Sequence, residues 1–296
     1  MTGRLLHGGR ADAPLARGWV VLHAVAMGGR GGPVDSARSD ARGGYTLTVA
    51  RPDTGAVYIV SSRYQGIAYF SEPLTVAAAG AVRARPIVVY DTSSSGPAVA
   101  VSRRLVTIAR PKRGGDGTRD VLELLELKNP GSETRIAVDT LAPTWAGAIP
   151  HPAIQFQVGR GDLAPEAVTR RGDTVAAFAP IPPGDARQLS YAYVLPADVR
   201  HAVIPVDQPT AEVDLLLEDT AAAVTAPGLE RLGVQEIEQR RFARYRARHL
   251  AARTSVVITL PGGGFRAQML VPVVVLLAAL ALVAGLVVAI RRRPPA

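Results

Sequence analysis

Cysteine is absent from the 296 residues. No disulfide, thiolate nucleophile or cysteine-type zinc site can therefore be built. Lysine is scarce as well: of 34 basic residues only Lys112 and Lys128 are lysines, and the arginine bias reads as the mark of a GC-rich coding sequence. Aromatic residues amount to 5%. No basic face interleaved with aromatics appears, so the net charge of +9 does not indicate a nucleic-acid partner. That charge is also dispersed. Residues 1–90 hold ten arginines against five acids, residues 97–262 hold twenty basic against nineteen acidic side chains, and Arg266 with Arg291, Arg292 and Arg293 supplies most of the remainder.

Catalytic templates are missing too. A zinc carboxypeptidase grips its metal with His and Glu three apart. Three places after His7, His23, His151, His201 and His249 stand Arg10, Ala26, Ile154, Ile204 and Ala252. No HExxH, no Gly-x-Ser-x-Gly elbow, no Walker loop and no GxGxxG between strand and helix occurs. Asp12, Asp35 and Asp40 lie near turns without calcium-ligand spacing and read as turn formers. Arg160-Gly161-Asp162 and Arg171-Gly172-Asp173 spell one tripeptide twice, and both read as polar turns. The expectation is a non-enzymatic protein with no catalytic residue, no cofactor and no metal.

What is present begins at the far end. Met269–Ile290 is 22 residues without a charge, followed at once by Arg291, Arg292 and Arg293. As a helix it extends about 33 Å, enough for a hydrocarbon core of about 30 Å. It is apolar on every face, which suits lipid better than a buried core. Pro272 falls in the first turn, where its missing N–H costs little. The stretch predicts a transmembrane helix.

The rest predicts β-structure: apolar residues make up 48%, and 29 Gly and 23 Pro suggest many turns. In residues 1–90 candidate strands recur at Gly3–His7, Gly18–Ala26, Val34–Ser39, Tyr45–Val49, Ala56–Ser62, Gly66–Phe70 and Arg85–Tyr90. GYTLTV puts Tyr45, Leu47 and Val49 on one face and Thr46 and Thr48 on the other. Short strands without a helical stripe predict a β-sandwich. The segments GRLLHGG, PLARGWVVLHAV, SARSDARGGYTLTV and AVYIVSSRYQGIAYFSEPLTV resemble a carboxypeptidase regulatory-like domain, a transthyretin-like sandwich found beside or apart from metallopeptidases. The run Asp40-Ala41-Arg42-Gly43-Gly44-Tyr45 is similar to that family's D-x-x-G-x-[FY] hairpin. In it Asp40 can make an Asx turn, Gly43 can take positive φ and Tyr45 can enter the core. The resemblance implies a fold rather than a chemistry; the accessory domain is here without its enzyme.

DTSSSGPAV reads as a boundary, giving a linker over 91–98. Residues 99–260 predict a second, loosely Ig-like sandwich. Its strands are expected at Val99–Ala109, Val121–Lys128, Thr134–Val138, Thr174–Phe178, Gln188–Leu195, Ala202–Val206, Glu212–Leu217 and Ser255–Leu260, with a hairpin turn at Asn129–Ser132 and loops at Ala142–Pro152 and Ala179–Gly184. Trp145 sits in the first of these loops, where packing is favoured over an exposed platform. Leu229–Leu250 holds neither period cleanly; a strand over Arg241–His249 paired with Ser255–Leu260 is expected, with an amphipathic helix as the alternative. Residues 261–268 form a Gly-rich tether.

Arg240, Arg241, Arg244, Arg246 and Arg248 form the densest charge feature. They read either as a contact for a membrane surface or acidic partner, worth about 1 kcal/mol per arginine near the surface, or as a solvated face balanced by Glu230, Glu236 and Glu238. Flanking charge, with Arg291, Arg292 and Arg293 on one side and Arg253 and Arg266 on the other, directs residues 291–296 to the cytoplasm. An all-β protein of two β-sandwiches on one transmembrane helix follows, held in a bacterial cytoplasmic membrane with its sandwiches outside. Export needs a leader, and Met1 opens directly on a strand, so the true start is expected upstream; otherwise the protein is tail-anchored facing the cytoplasm. The role expected is display of modules that bind protein or glycan, or service as an accessory subunit of a transport or envelope-biogenesis complex.

Overall fold

Tyr45 and Leu47 are buried while Thr46 and Thr48 are exposed, the alternation that GYTLTV predicts. The same two-residue period organises a computed structural model that describes residues 1–26, 31–75, 80–112 and 114–261. The expected helix Met269–Ile290, the triplet Arg291, Arg292 and Arg293, and residues 262–268 of the tether lie outside the described residues. Among the described residues no helix is long and apolar enough to cross a membrane, and the helical elements are two 3-10 turns, Gly8–Arg10 and Pro165–Ala167. The described chain is all-β.

The described residues of 1–90 form nine strands: β1 (Thr2–His7), β2 (Ala13–Pro14), β3 (Trp19–Val25), β4 (Gly31–Arg38), β5 (Gly44–Thr46), β6 (Val57–Tyr64), β7 (Ile67–Phe70), β8 (Leu74–Thr75) and β9 (Ile87–Val89). One sheet runs β2-β1-β5 with β9 on β1; the other runs β4-β3-β6-β7 with β8 on β6. Leu5, Ile87 and Val89 from the first meet Val20, Leu22, Tyr58 and Val60 from the second in one core. The Asp40 hairpin has the predicted chemistry. Asp40 Oδ1 accepts the N–H groups of Arg42 and Gly44, each at 2.8 Å, Gly43 has φ +74°, and Tyr45 is buried. Burial raises the Tyr45 phenol to about 12.

A short strand β10 (Thr92–Ser93) leads to a second, larger core drawn from residues 99–260. It is built from β11 (Ala100–Ile108), β12 (Arg119–Lys128), β13 (Thr134–Arg135), β14 (Trp145–Ala148), β15 (Ile154–Val158), β16 (Val168–Arg171), β17 (Thr174–Ala177) and β18 (Arg187–Leu195). The series continues with β19 (His201–Val206), β20 (Thr210–Leu217), β21 (Ala223–Thr225), β22 (Leu229–Ile237), β23 (Arg240–Leu250) and β24 (Thr254–Thr259). Seven strands make one sheet, β15-β18-β12-β11-β20-β23-β22. Two three-stranded sheets, β14-β17-β16 and β19-β24-β21, contribute Trp145, Val175, Ile204 and Ile258 to the same core. The arrangement is sandwich-like.

Three local expectations are corrected. Asn129–Ser132 does turn, with Asn129 Oδ1 accepting the Gly131 N–H at 2.9 Å, but no β12–β13 hairpin forms. Strand β12 is already bonded on both sides by β11 and β18, so β13 pairs with β10 instead, in parallel. Arg241–His249 is a strand, not a helix, yet its partners are β20 and β22; Thr254–Thr259 belongs to the sheet with β19 and β21. Within the expected loop Ala142–Pro152 lies β14, whose Trp145 is buried.

The polar stretch between the two cores is tied down. Thr134 donates its N–H to the Asp91 carbonyl at 2.7 Å, and Ile136 donates to that of Ser93 at 3.0 Å. The Tyr69 hydroxyl meets Thr134 Oγ1 at 2.7 Å. The Asp91 carboxylate accepts the Tyr64 hydroxyl at 2.9 Å and the Gln65 amide at 2.7 Å, with His7 Nε2 3.3 Å away. The Tyr64 hydrogen bond holds the Asp91 carboxyl below its ordinary value against partial burial, with His7 and Arg10 assisting.

Candidate functional site

Strand β23 carries the five arginines singled out above. Arg244, Arg246 and Arg248 point away from the core, while Ala243, Tyr245 and Ala247 point into it. Neighbouring β20 alternates in the same way, sending Val213, Leu215 and Leu217 inward and Glu212 and Asp214 outward. Antiparallel pairing sets Glu212 opposite Arg248 and Asp214 opposite Arg246. On the other flank of β20, parallel pairing sets Arg103 opposite Glu212. Three strands thus place Glu212 and Asp214 between Arg103 on one side and Arg244, Arg246 and Arg248 on the other.

Asp214 is the centre. Although it faces outward it is only 1% exposed, because arginines roof it. Arg246 Nε stands 3.0 Å from Oδ1, Arg103 Nη2 2.9 Å from Oδ2, and Arg244 Nη2 3.4 Å from Oδ1. Burial pushes the Asp214 carboxyl up, but hydrogen bonds and charge from Arg246 and Arg103 overcome this and bring it to about 2. Glu212 accepts from Arg248 Nε at 3.4 Å and lies 3.3 Å from Arg246 Nε. Arg240 forks onto Glu218, with Nε 2.9 Å from Oε1, and its guanidinium lies 5.5 Å from the Phe242 ring centroid. Arg241, exposed, sits across from Glu236.

Four of the five arginines are therefore engaged by carboxylates. The partners are mainly Glu212, Asp214 and Glu218, with Glu230 opposite Arg246 and Glu236 opposite Arg241 in register. Sequence reading missed Asp214, Glu212 and Arg103. The signal was there: acids two apart at 212 and 214 match arginines two apart at 244, 246 and 248. A matching alternation of opposite charge on two strands is what cross-strand pairing requires.

A second polar cluster lies inside the core. Arg104 Nε donates to Glu123 Oε2 at 2.7 Å, and Glu123 also accepts the hydroxyls of Tyr193 at 2.7 Å and Tyr191 at 3.2 Å. Arg104 Nη1 donates to the Pro205 carbonyl on β19 at 2.6 Å, which ties the two layers together. Burial alone would lower the Arg104 pKa, but the charge of Glu123 raises it above its ordinary value; burial and Glu123 raise both tyrosines well above theirs. The cavity against Arg104 and Trp145 measures about 10 Å³, room for one water and not for a substrate. Among the described residues no group of three or more His, Asp or Glu is placed to hold a metal ion.

Of the two Arg-Gly-Asp tripeptides only the second is a turn, at Gly172-Asp173 after β16, while Arg160–Asp162 is a bend running beside β18; both carboxylates are taken within the chain. Asp162 Oδ2 accepts the Gln188 N–H at 2.8 Å. Asp173, at the β16–β17 turn, meets His151 Nδ1 at 2.9 Å and Arg170 at 3.5 Å.

No protein-family model matches the chain. No curated protein matches it either. Among solved structures, an M1 zinc metallopeptidase from Deinococcus radiodurans bound to a Tyr-Ser-Ala substrate is similar over 55% of this chain and 42% of its own, with TM-score 0.35 and 10% identity. The chain thus spans less than half the length of that peptidase. The yeast delta-COP-I mu-homology domain, complexed with a Dsl1 WxWxV peptide, is similar over 57% of this chain and 75% of its own, with TM-score 0.17 and 11% identity. At these scores neither likeness bears on what this chain does.

Proposed function

We propose that the protein is a single-pass membrane protein that displays two β-sandwiches as non-enzymatic interaction modules at the surface of a bacterial cytoplasmic membrane. One observation carries this reading: the run Met269–Ile290, uncharged and long enough to span, begins ten residues after the last residue of β24 and ends on three arginines. The arginine triplet supports a cytoplasmic C-terminus with the sandwiches on the other side. The first module is transthyretin-like on the strength of its carboxypeptidase regulatory-like motifs, and the Asp40–Tyr45 turn is compatible with that membership. Trp19 on β3 and Phe70 on β7, each more than half exposed, support a role in contacting a protein or glycan.

Washing cell membranes with alkaline carbonate tests the anchor. The intact chain should stay with the lipid pellet and be released only by detergent. Recovery in the carbonate supernatant, or in the soluble fraction after detergent-free lysis, would overturn the reading. Because cysteine is absent, one cysteine introduced at exposed Leu141 reports the side of the membrane without background. An impermeant maleimide should label it in intact spheroplasts, and protection until lysis would reverse the orientation.

A further inference from the structure

The seven-stranded sheet and its facing sheets end together where the described chain stops, at Pro261. Arg119, the first residue of β12, is 5% exposed and lies at that end between the layers. Its Nη2 donates to the Pro261 carbonyl at 2.9 Å, and Arg200 Nη1 donates to the same oxygen at 3.3 Å. The other Arg119 nitrogen, Nη1, is buried and has no hydrogen-bond partner among the described residues. Arg110 lies close by, its Nη2 on the Glu218 carbonyl at 3.3 Å. Three of the acids nearby are already used: Asp219 stands 3.7 Å from Arg119 Nη2, Glu218 is held by Arg240 and by the Arg110 N–H, and Asp120 faces Lys112 at 3.9 Å; Asp198 is exposed two residues before Arg200. Burial lowers the Arg119 pKa, Asp219 opposes this, and the like charges of Arg200 and Arg110 add to the lowering. Arg110 and Arg200, both exposed, thus flank a buried guanidinium, and the three place positive charge together at this end.

Residues 262–268 separate Pro261 from Met269. Seven residues reach at most about 25 Å. The apolar run therefore begins within about 25 Å of this end of the sandwich, against a length of about 33 Å for a strand of ten residues such as β12; Leu141 lies in the segment between β13 and β14, away from Pro261. The geometry points to the rim formed by Arg110, Arg119 and Arg200 as a docking surface for the phosphates of anionic lipid headgroups. Guanidinium forks match phosphate oxygens in pairs, whereas the neighbouring β23 arginines already spend theirs on carboxylates. This inference rests on the membrane anchor proposed above and adds to it a fixed attitude of the second sandwich on the bilayer.

The full chain, reconstituted in nanodiscs, tests it. A fluorophore on Ala197→Cys, exposed beside Arg200, reports the rim, and one on Leu141→Cys reports a place away from it. With headgroup-spin-labelled lipid, the Ala197→Cys label should be quenched in phosphatidylglycerol-containing discs and much less in phosphatidylcholine discs. The Leu141→Cys label should be unaffected in both. Arg200→Gln and Arg110→Gln, both at exposed side chains, should each lower the docked population about fivefold. Equal quenching in anionic and neutral discs, or no effect of either substitution, overturns the docking surface while leaving the anchor intact. Failure of the chain to enter discs removes the anchor and the docking surface together. If millimolar inorganic phosphate abolishes quenching at constant ionic strength, the rim is a free-phosphate site and the lipid assignment is wrong.

Discussion

Arg104 and Glu123 form a 2.7 Å ion pair in the interior of the second sandwich, on adjacent strands of the same sheet, with side-chain exposures of 7% and 0%. Two tyrosine hydroxyls and a carbonyl from the facing layer complete their hydrogen bonding. Such a pair need not stabilise relative to apolar residues, but losing one member leaves a buried charge alone. Glu123→Gln should therefore cost about 3–5 kcal/mol in urea unfolding. The double change Arg104→Met with Glu123→Leu should recover most of that loss; a double variant as unstable as the single would show that the charge itself is required.

Asp214 predicts an acid limit. Its folded pKa, about 2, lies below the ordinary 3.8. The stabilisation is fully present above about pH 4 and fades as pH falls toward 2, because the unfolded chain takes up the proton first. At neutral pH it amounts to about 2 kcal/mol. Asp214→Asn should lose that amount and flatten the stability profile between pH 4 and 2. It also leaves Arg103, Arg244 and Arg246 without their shared anion, so binding of the variant to anionic vesicles should rise.

Gly43 and Gly66 separate two costs of a side chain at positive φ. Both are left-handed, at +74° and +83°. A Cβ on Gly43 would stand 2.4 Å from the Leu5 carbonyl oxygen, whereas one on Gly66 meets nothing within 4 Å. Gly66→Ala should cost about 1 kcal/mol from strain alone, and Gly43→Ala more than about 2 kcal/mol. Denaturant midpoints of the two variants check the order.

The two tryptophans should give separable spectra. Trp145 is 4% exposed, and Trp19 is 53% exposed with the Arg38 guanidinium 5.0 Å from its ring centroid. Trp145→Phe should leave red-shifted emission that acrylamide quenches readily. Trp19→Phe should leave blue-shifted, protected emission, and only this emission should move when the second core unfolds.

Much of this architecture was legible where apolar side chains alternate with small polar ones, as in GYTLTV, and where turn chemistry is local, as at Asp40. It was illegible where burial and polarity part company. In VLELLELK hydrophobicity would place every leucine inside, but the two-residue period puts Glu123 on the inner face with Val121, Leu125 and Leu127 and leaves Leu122 48% exposed; Arg104 and two tyrosines across the strands supply what Glu123 needs. Strand β22 is exposed along most of its length, so it has no inside face to give it a period. The pairing of β23 with β20 was hidden for another reason: it skips over β21 and β22, and only the matched alternation of acids at 212 and 214 with arginines at 244, 246 and 248 points to a contact that distant. At the arginine strand the cations stood out, while the acids that engage them lie some thirty residues earlier in the chain.

Strand order also sets a timetable. The first sandwich is sealed by its final strand, β9, lying parallel to β1, and β24 is the central member of its three-stranded sheet, between β19 and β21. Nascent chains halted before Thr254 would hold two strands with nothing to bond to between them. Native closure of the larger sandwich therefore waits until synthesis has all but reached the greasy segment. Quality control has a wide window in which to meet an incomplete product, and stop codons placed a few residues before or after β24 should separate degraded from durable polypeptide sharply.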